Sequence, residues 1–135
     1  MKYKFIPHTA DIKFQAYGKN LNEAFENSAL AMFNVMYDGK IKGKIKKKVN
    51  ADGKDLEELL YNFLEKLIIL MDAENIFLSE IKVKIDSKNF KLTGELVGDK
   101  SSNYPISLDV KAITYNDMFV KKLNGKWVCQ AVIDV

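Results

Sequence analysis

The sequence predicts an α+β fold: a single domain over residues 1–135, with two α-helices packed on one face of a mostly antiparallel β-sheet. Three observations carry this. Two segments, starting near Leu21 and Leu56, space their apolar residues at helical intervals. Most of the remaining chain alternates polar and apolar residues with the period of a half-buried strand. The second half strings such segments together through short turn sequences with no helix between them, which favours hairpins over parallel crossovers.

Taken in order, Lys2 to Ile6 alternates, and after His8-Thr9-Ala10-Asp11 the alternation resumes at Ile12, Phe14 and Ala16, so two strands flank that tetrapeptide. Asn20 is placed to cap the first helix, with Glu23 three residues on completing a capping-box pair. The apolar positions Leu21, Ala24, Phe25, Ala29, Met32, Phe33 and Met36 follow. Lys40 to Val49 alternates again, its even-numbered lysines on one face and Ile41, Ile45 and Val49 on the other, as a strand with one wet face. Ala51-Asp52-Gly53-Lys54 is turn chemistry, and Asp55 caps a second helix whose broad stripe from Leu56 to Met71 implies deep packing. Strands are expected at Ile76–Ile85, Phe90–Val97, Ile106–Tyr115, Met118–Lys122 and Lys126–Ile133, with Asn116-Asp117 and Asn124-Gly125 as tight turns.

Composition narrows the chemistry. With 47% apolar residues the chain can bury a core without disulfides, and its one cysteine, Cys129, lies in an apolar strand pattern that suits a buried free thiol. No apolar run reaches the length of a membrane span, and Met1 to Pro7 is too short for a signal peptide, so a cytoplasmic protein with no membrane association is expected. All 21 basic residues are lysine. Without arginine's planar fork a sequence-specific reader of nucleic acid is disfavoured, and the lysine run at 40–48 reads first as protection of an edge strand.

His8 is the only imidazole, no Gly-x-Ser-x-Gly elbow or phosphate loop exists, and no His and Cys pair has zinc spacing. Oxygen ligands for a hard divalent cation remain. Two places stand out: Asp11 at a strand junction, and the chain end, where a strand pattern runs to Asp134 and Val135 and would set a main-chain carboxylate beside an aspartate side chain. Such crowding of negative charge is costly without a cation.

The segment His8-Thr9-Ala10-Asp11-Ile12 resembles the opening motif of the archease family, and Tyr17-Gly18-Lys19-Asn20-Leu21-Asn22-Glu23-Ala24-Phe25-Glu26-Asn27 resembles its first-helix signature. The likeness continues through Leu59–Leu64 and Asp72-Ala73-Glu74, Gly94-Glu95, the Lys-Ala-x-Thr-Tyr segment at Lys111–Tyr115, and the acidic ending Asp134-Val135. Two departures are visible: Asn116 stands where the family has a histidine, and Lys100-Ser101-Ser102-Asn103 where it has an Arg-His pair. The resemblance implies a protein that is not an enzyme but an accessory to an RtcB-type tRNA-splicing ligase, promoting its guanylylation and multiple turnover and broadening its nucleotide use. It implies a metal site at Asp11, Asp134 and Val135, holding Ca²⁺ foremost, with Mn²⁺, Mg²⁺ or Zn²⁺ as alternatives, and contact with tRNA that is indirect or weak. A chaperone-like modulator of tRNA-modifying enzymes is the runner-up. A self-sufficient phosphoesterase is disfavoured by the want of a second carboxylate cluster.

Overall fold

The computed structural model describes residues 1–106 and 108–135. Its strands are β1 (Tyr3–Ile6), β2 (Ile12–Gly18), β3 (Ile45–Asp52), β4 (Ile76–Asp86), β5 (Lys91–Lys100), β6 (Ala112–Leu123) and β7 (Lys126–Asp134), and its helices are α1 (Leu21–Met36) and α2 (Leu56–Glu74). The α+β class is as the sequence predicts. The strands divide into two antiparallel sheets, ordered β1-β2-β7-β6 and β3-β5-β4. Each helix packs on both: α1 lies against β2, β7 and β4, and α2 against β3 and β6.

Local chemistry sets the helix boundaries. The Asn20 side chain accepts from Glu23 N–H at 2.9 Å, while Glu23 Oε1 accepts from Lys19 N–H at 3.1 Å. Asp55 and Glu58 repeat the arrangement, with Glu58 N–H donating to Asp55 at 2.8 Å and Lys54 N–H to Glu58 at 3.0 Å. Both caps satisfy amide donors that the first helical turn leaves unpaired. At the far end of α2, Asn75 adopts a left-handed conformation (φ 56°) and closes the helix, as asparagine tolerates better than most residues.

The core is one cluster in which Phe14, Phe25, Phe63, Phe77, Met32 and Met36 are each less than 2% exposed. Phe25 of α1 meets Phe63 of α2 with ring centroids 6.0 Å apart, joining the two helices at the centre. The Met32, Phe33, Met36 group is buried as expected, whereas Trp127 is only half-buried against the core.

Side chains of α1 also finish the edge of β4. Val83 N–H donates to Glu26 at 2.9 Å and Ile85 N–H to Asn22 at 3.0 Å, so main-chain donors that an edge strand would leave open are occupied. On the other edge of that sheet, Asn62 of α2 donates to the Asp52 carbonyl at 2.8 Å.

Three strand expectations need correction. The lysine-rich strand begins at Ile45 rather than Lys40. Residues 40–44 cannot continue the ladder in register, because Lys42 N–H is taken by the Tyr104 hydroxyl at 2.9 Å and only Lys44 N–H reaches β5, at the Gly98 carbonyl (2.8 Å). The strand expected from Ile106 begins at Ala112, and its residue Ser107 lies outside the described residues. Asn116-Asp117 is not a hairpin turn: β6 runs straight through it, and the register against β7 shifts between Thr114 and Phe119. The positive φ of Asp117 (56°) makes a bulge, a backbone state that turn and bulge share. Asn124-Gly125 is the expected tight hairpin, both residues at positive φ (52° and 78°).

The loop preceding β6 is tied down by Asp99, a carboxylate only 4% exposed. It accepts from the Tyr104 hydroxyl at 2.8 Å, from Lys100 N–H at 2.8 Å and from Asn103 at 3.3 Å. The Tyr104 hydrogen bond foremost, then that of Lys100 N–H, holds the Asp99 carboxyl below its ordinary range. A carboxyl whose folded pKa is depressed contributes stability that is full above the unfolded-state pKa and disappears as pH falls through the folded one. Asp99→Asn should therefore destabilise the protein at pH 7, and the gap to wild type in urea unfolding should shrink as pH is lowered through the acid range.

Candidate metal site at the end of the β2–β7 pair

Ile12 and Ile133 are Cα partners across β2 and β7. Asp11 immediately precedes the first and Asp134 immediately follows the second, so the register brings both aspartates to the same end of one strand pair. Alternation sets them on the outer face, since Phe14, Ala131 and Ile133 belong to the core. Asp134 is also held from β6, where Lys111 N–H donates to its carbonyl at 2.8 Å and Ala112 is its Cα partner. Val135 lies just beyond β7, half-buried against the core. The turn before Asp11 is made by Ala10 at φ 72°, a left-handed conformation that L residues with a Cβ seldom adopt.

The β6 bulge places a third aspartate on this face. Asp117 Oδ2 lies 3.0 Å from Lys13 Nζ and 3.9 Å from His8 Nε2. A chain of side-chain hydrogen bonds holds the bulge in place: Tyr17 donates to Gln15 (2.9 Å), Gln15 to Gln130 (2.8 Å), and Gln130 to the Asp117 carbonyl (2.8 Å). His8 Nδ1 is buried with no hydrogen-bond partner among the described residues. Sequence reasoning missed this Lys13–Asp117–His8 group, because Asp117 had been read as a turn residue and the alternation of β2 gave no hint that Lys13 would be paired.

Asp117 has its lysine, whereas Asp11 and Asp134 have no ion-pair partner among the described residues. Two unpaired carboxylates on adjoining strand ends are hard donors that suit a cation able to complete its shell with water or main-chain oxygen, as Ca²⁺ does. They do not suit a closed tetrahedral zinc centre. Among the described residues no three His, Cys, Asp or Glu side chains come together as a ligand group.

Other candidates resolve into packing. Cys129 is wholly buried, and burial pushes its thiol up to about 12. The thiolate is the reactive form, so Cys129 should resist Ellman's reagent in the native protein at pH 8 and titrate only after denaturant is added. Tyr115, half exposed, stacks on Tyr61 of α2 with centroids 4.1 Å apart and planes within 4°, pinning β6 to the helix. Lys46 and Lys48 are exposed on the outer face of the second sheet, while Lys47 turns toward α2 and pairs with Glu74 at 2.7 Å. Across that face Lys48, Glu95 and Lys82 are successive Cα partners, as are Asp52, Lys91 and Asp86. Signs alternate along each row, a cross-strand complementarity rather than a single-sign groove for a polyanion. Among the described residues no helix is long and apolar enough to cross a membrane.

Fold and site define a small α+β protein of two bridged sheets, with its acidic pair at a strand end where three neighbouring strands converge. Residues 3–135 match the Archease protein family (MTH1598/TM1083). Curated relatives include the archease of Sulfurisphaera tokodaii, 42% identical over 137 residues and 99% of each chain, and that of Pyrococcus abyssi, 40% identical over 140 residues and 99% of each. The solution structure of Methanobacterium thermoautotrophicum protein 1598 is 36% identical with a TM-score of 0.87 over 99% of both chains. A crystal structure from Thermotoga maritima, described as an archease and possible chaperone, shares the fold at a TM-score of 0.68 and 17% identity, over 98% of this chain and 96% of that one. The chain belongs to the archease family.

Proposed function

We propose that this archease is an accessory protein, not itself an enzyme, that activates an RtcB-type tRNA-splicing ligase by promoting its guanylylation and sustaining multiple turnover. The observation that supports it most is the pairing of Asp11 with Asp134 at one end of β2–β7, neither with an ion-pair partner among the described residues, in a member of the archease family. Asp11 and Asp134 with Val135 hold the divalent cation, Ca²⁺ foremost, and leave coordination positions open to water or to a partner's ligand. A cation held there would supply Lewis-acidic charge for the partner's nucleotide chemistry. The chain's own part is to place the two carboxylates: the hydrogen bond from Lys111 N–H to the Asp134 carbonyl and the β2–β7 register anchor the main chain that carries them, and Asp117 keeps Lys13 engaged elsewhere. A cytoplasmic setting follows from this role, and tRNA is met through the ligase rather than gripped directly.

Multiple-turnover ligation of a split tRNA by the ligase from the same cell, with substrate in excess, tests the reading. Added wild-type protein should raise turnover and guanylylation, and the absence of any stimulation would retire it. The Thermotoga protein is described as a possible chaperone, and the second reading is a chaperone-like modulator, with tRNA-modifying enzymes as the clients the sequence resemblance suggests. Its mark would be stoichiometric protection of a client in the presence of a chelator.

A further inference from the structure

β1 is the terminal strand of the four-stranded sheet. Tyr17 N–H donates to the Lys2 carbonyl at 2.9 Å, and Lys4 and Ile6 share that register with Gln15 and Lys13. In an antiparallel pair the hydrogen-bonding residues alternate, so Lys2, Lys4 and Ile6 turn their main-chain groups to β2 while Tyr3 and Phe5 turn theirs to the open side. Among the described residues nothing donates to or accepts from those groups. The contrast with β4 is direct, since there Asn22 and Glu26 occupy the edge.

The ground beside that edge is hollowed, mixed in character toward Tyr3 and mainly apolar toward Phe5. Two adjoining hollows of about 430 and 450 Å³ share Asn34 of α1 as common wall. One is lined by Tyr3, Leu30 and Ile41, the other by Phe5, Val35 and Leu108, and the second closes on His8 and Asp11. Phe5 is 44% and Leu108 38% exposed, unusual for large apolar side chains with a groove between them. Lys4 is exposed on the strand's other face, and Lys2, also exposed, stands at the rim of the first hollow. A second copy of β1 laid antiparallel would bring lysine against lysine, so this edge is built against self-pairing.

We propose that the open edge of β1 accepts an extended segment of a partner protein as a fifth strand, one that alternates apolar residues, which enter the groove, with acidic residues, which meet Lys2 and Lys4. Main-chain hydrogen bonds to Tyr3 and Phe5 supply the attachment, and the side-chain alternation supplies the selectivity. Such a strand runs toward the Asp11 end of the sheet and delivers the partner there. The inference goes beyond the ligase reading and its test involves no ligation, so either can fail alone.

The test uses the full chain and two fluorescein-labelled short peptides, one alternating Asp or Glu with Val, the other carrying Lys at the acidic positions. The acidic peptide should bind saturably and about tenfold more tightly than its lysine counterpart, the order expected from reversing two cross-strand charge pairs. Amide shifts in ¹⁵N spectra should centre on Tyr3 and Phe5. Phe5→Pro removes an outward N–H that β2 does not use and should abolish binding while leaving the β2–β7 amides in place. Should that variant lose its native spectrum, the Lys2→Glu/Lys4→Glu variant decides, because it should invert the preference between peptides. The proposal is overturned by no saturable binding of the acidic peptide, by shifts centred elsewhere, by binding retained in folded Phe5→Pro, or by a preference unchanged in the double variant. A concentration-dependent dimer abolished by Phe5→Pro would make a second copy the occupant and overturn it equally.

Discussion

Asp11→Ala combined with Asp134→Ala should abolish Ca²⁺ binding in calorimetry, weakening it by about a hundredfold or more, because affinity at oxygen sites follows the number of charged ligands. The same variant should lose ligase stimulation. The fold should survive: neither carboxylate is in an ion pair among the described residues, and the main-chain contacts at Asp134, to Lys111 N–H and through the strand register, do not involve its side chain. Removing two like charges from one strand end relieves repulsion, so melting temperature in chelator should stay level or rise. That sign distinguishes a cation site from a structural pair, in which removal of either partner would destabilise the protein. If the variant still stimulates turnover fully, the cation plays no part in activation.

The largest loss of stability is expected from Phe63→Ala. Phe63 is fully buried in the core cluster and meets Phe25 of the other helix there. Truncation of a buried phenylalanine costs about 3–5 kcal/mol through lost transfer free energy and the cavity left behind. Against a typical total of roughly 5–15 kcal/mol, that is a large share. Urea denaturation at neutral pH should show a lower midpoint with little change in slope. A cost below about 1 kcal/mol would mean that the helices close over the gap, and that the core is less close-packed than the burial of its neighbours indicates.

Helices and caps were legible because their signals are local. Asn20 with Glu23 is recognised by spacing and Asp55 by its place before the second apolar stripe; the structure closes both caps as expected, and Glu58 completes the second pair. The aspartate pair is a different matter. Asp11 and Asp134 were singled out as separate oddities and linked by resemblance, but only the β2–β7 register puts them side by side. Asp117 was read as a turn because a left-handed aspartate between two alternating runs has the same local appearance in a hairpin and in a bulge. What distinguishes them is the partner strand, and β7 continues past the site without a break. The division into two sheets was equally out of reach, since period-two alternation reveals a strand's faces and not its neighbours.

Glu26 and Asn22 carry a consequence of the way α1 lies along β4. Both are half-buried polar residues that add nothing to the apolar core. Each nevertheless completes the main-chain hydrogen bonding of a strand more than fifty residues away in sequence. Exchange for alanine would leave the helix intact and the core full, yet strip β4 of its guard and expose a strand border to other chains. The damage would register as a loss of yield at high concentration rather than as a lower melting point, and a screen that scores thermal stability alone would class both positions as neutral.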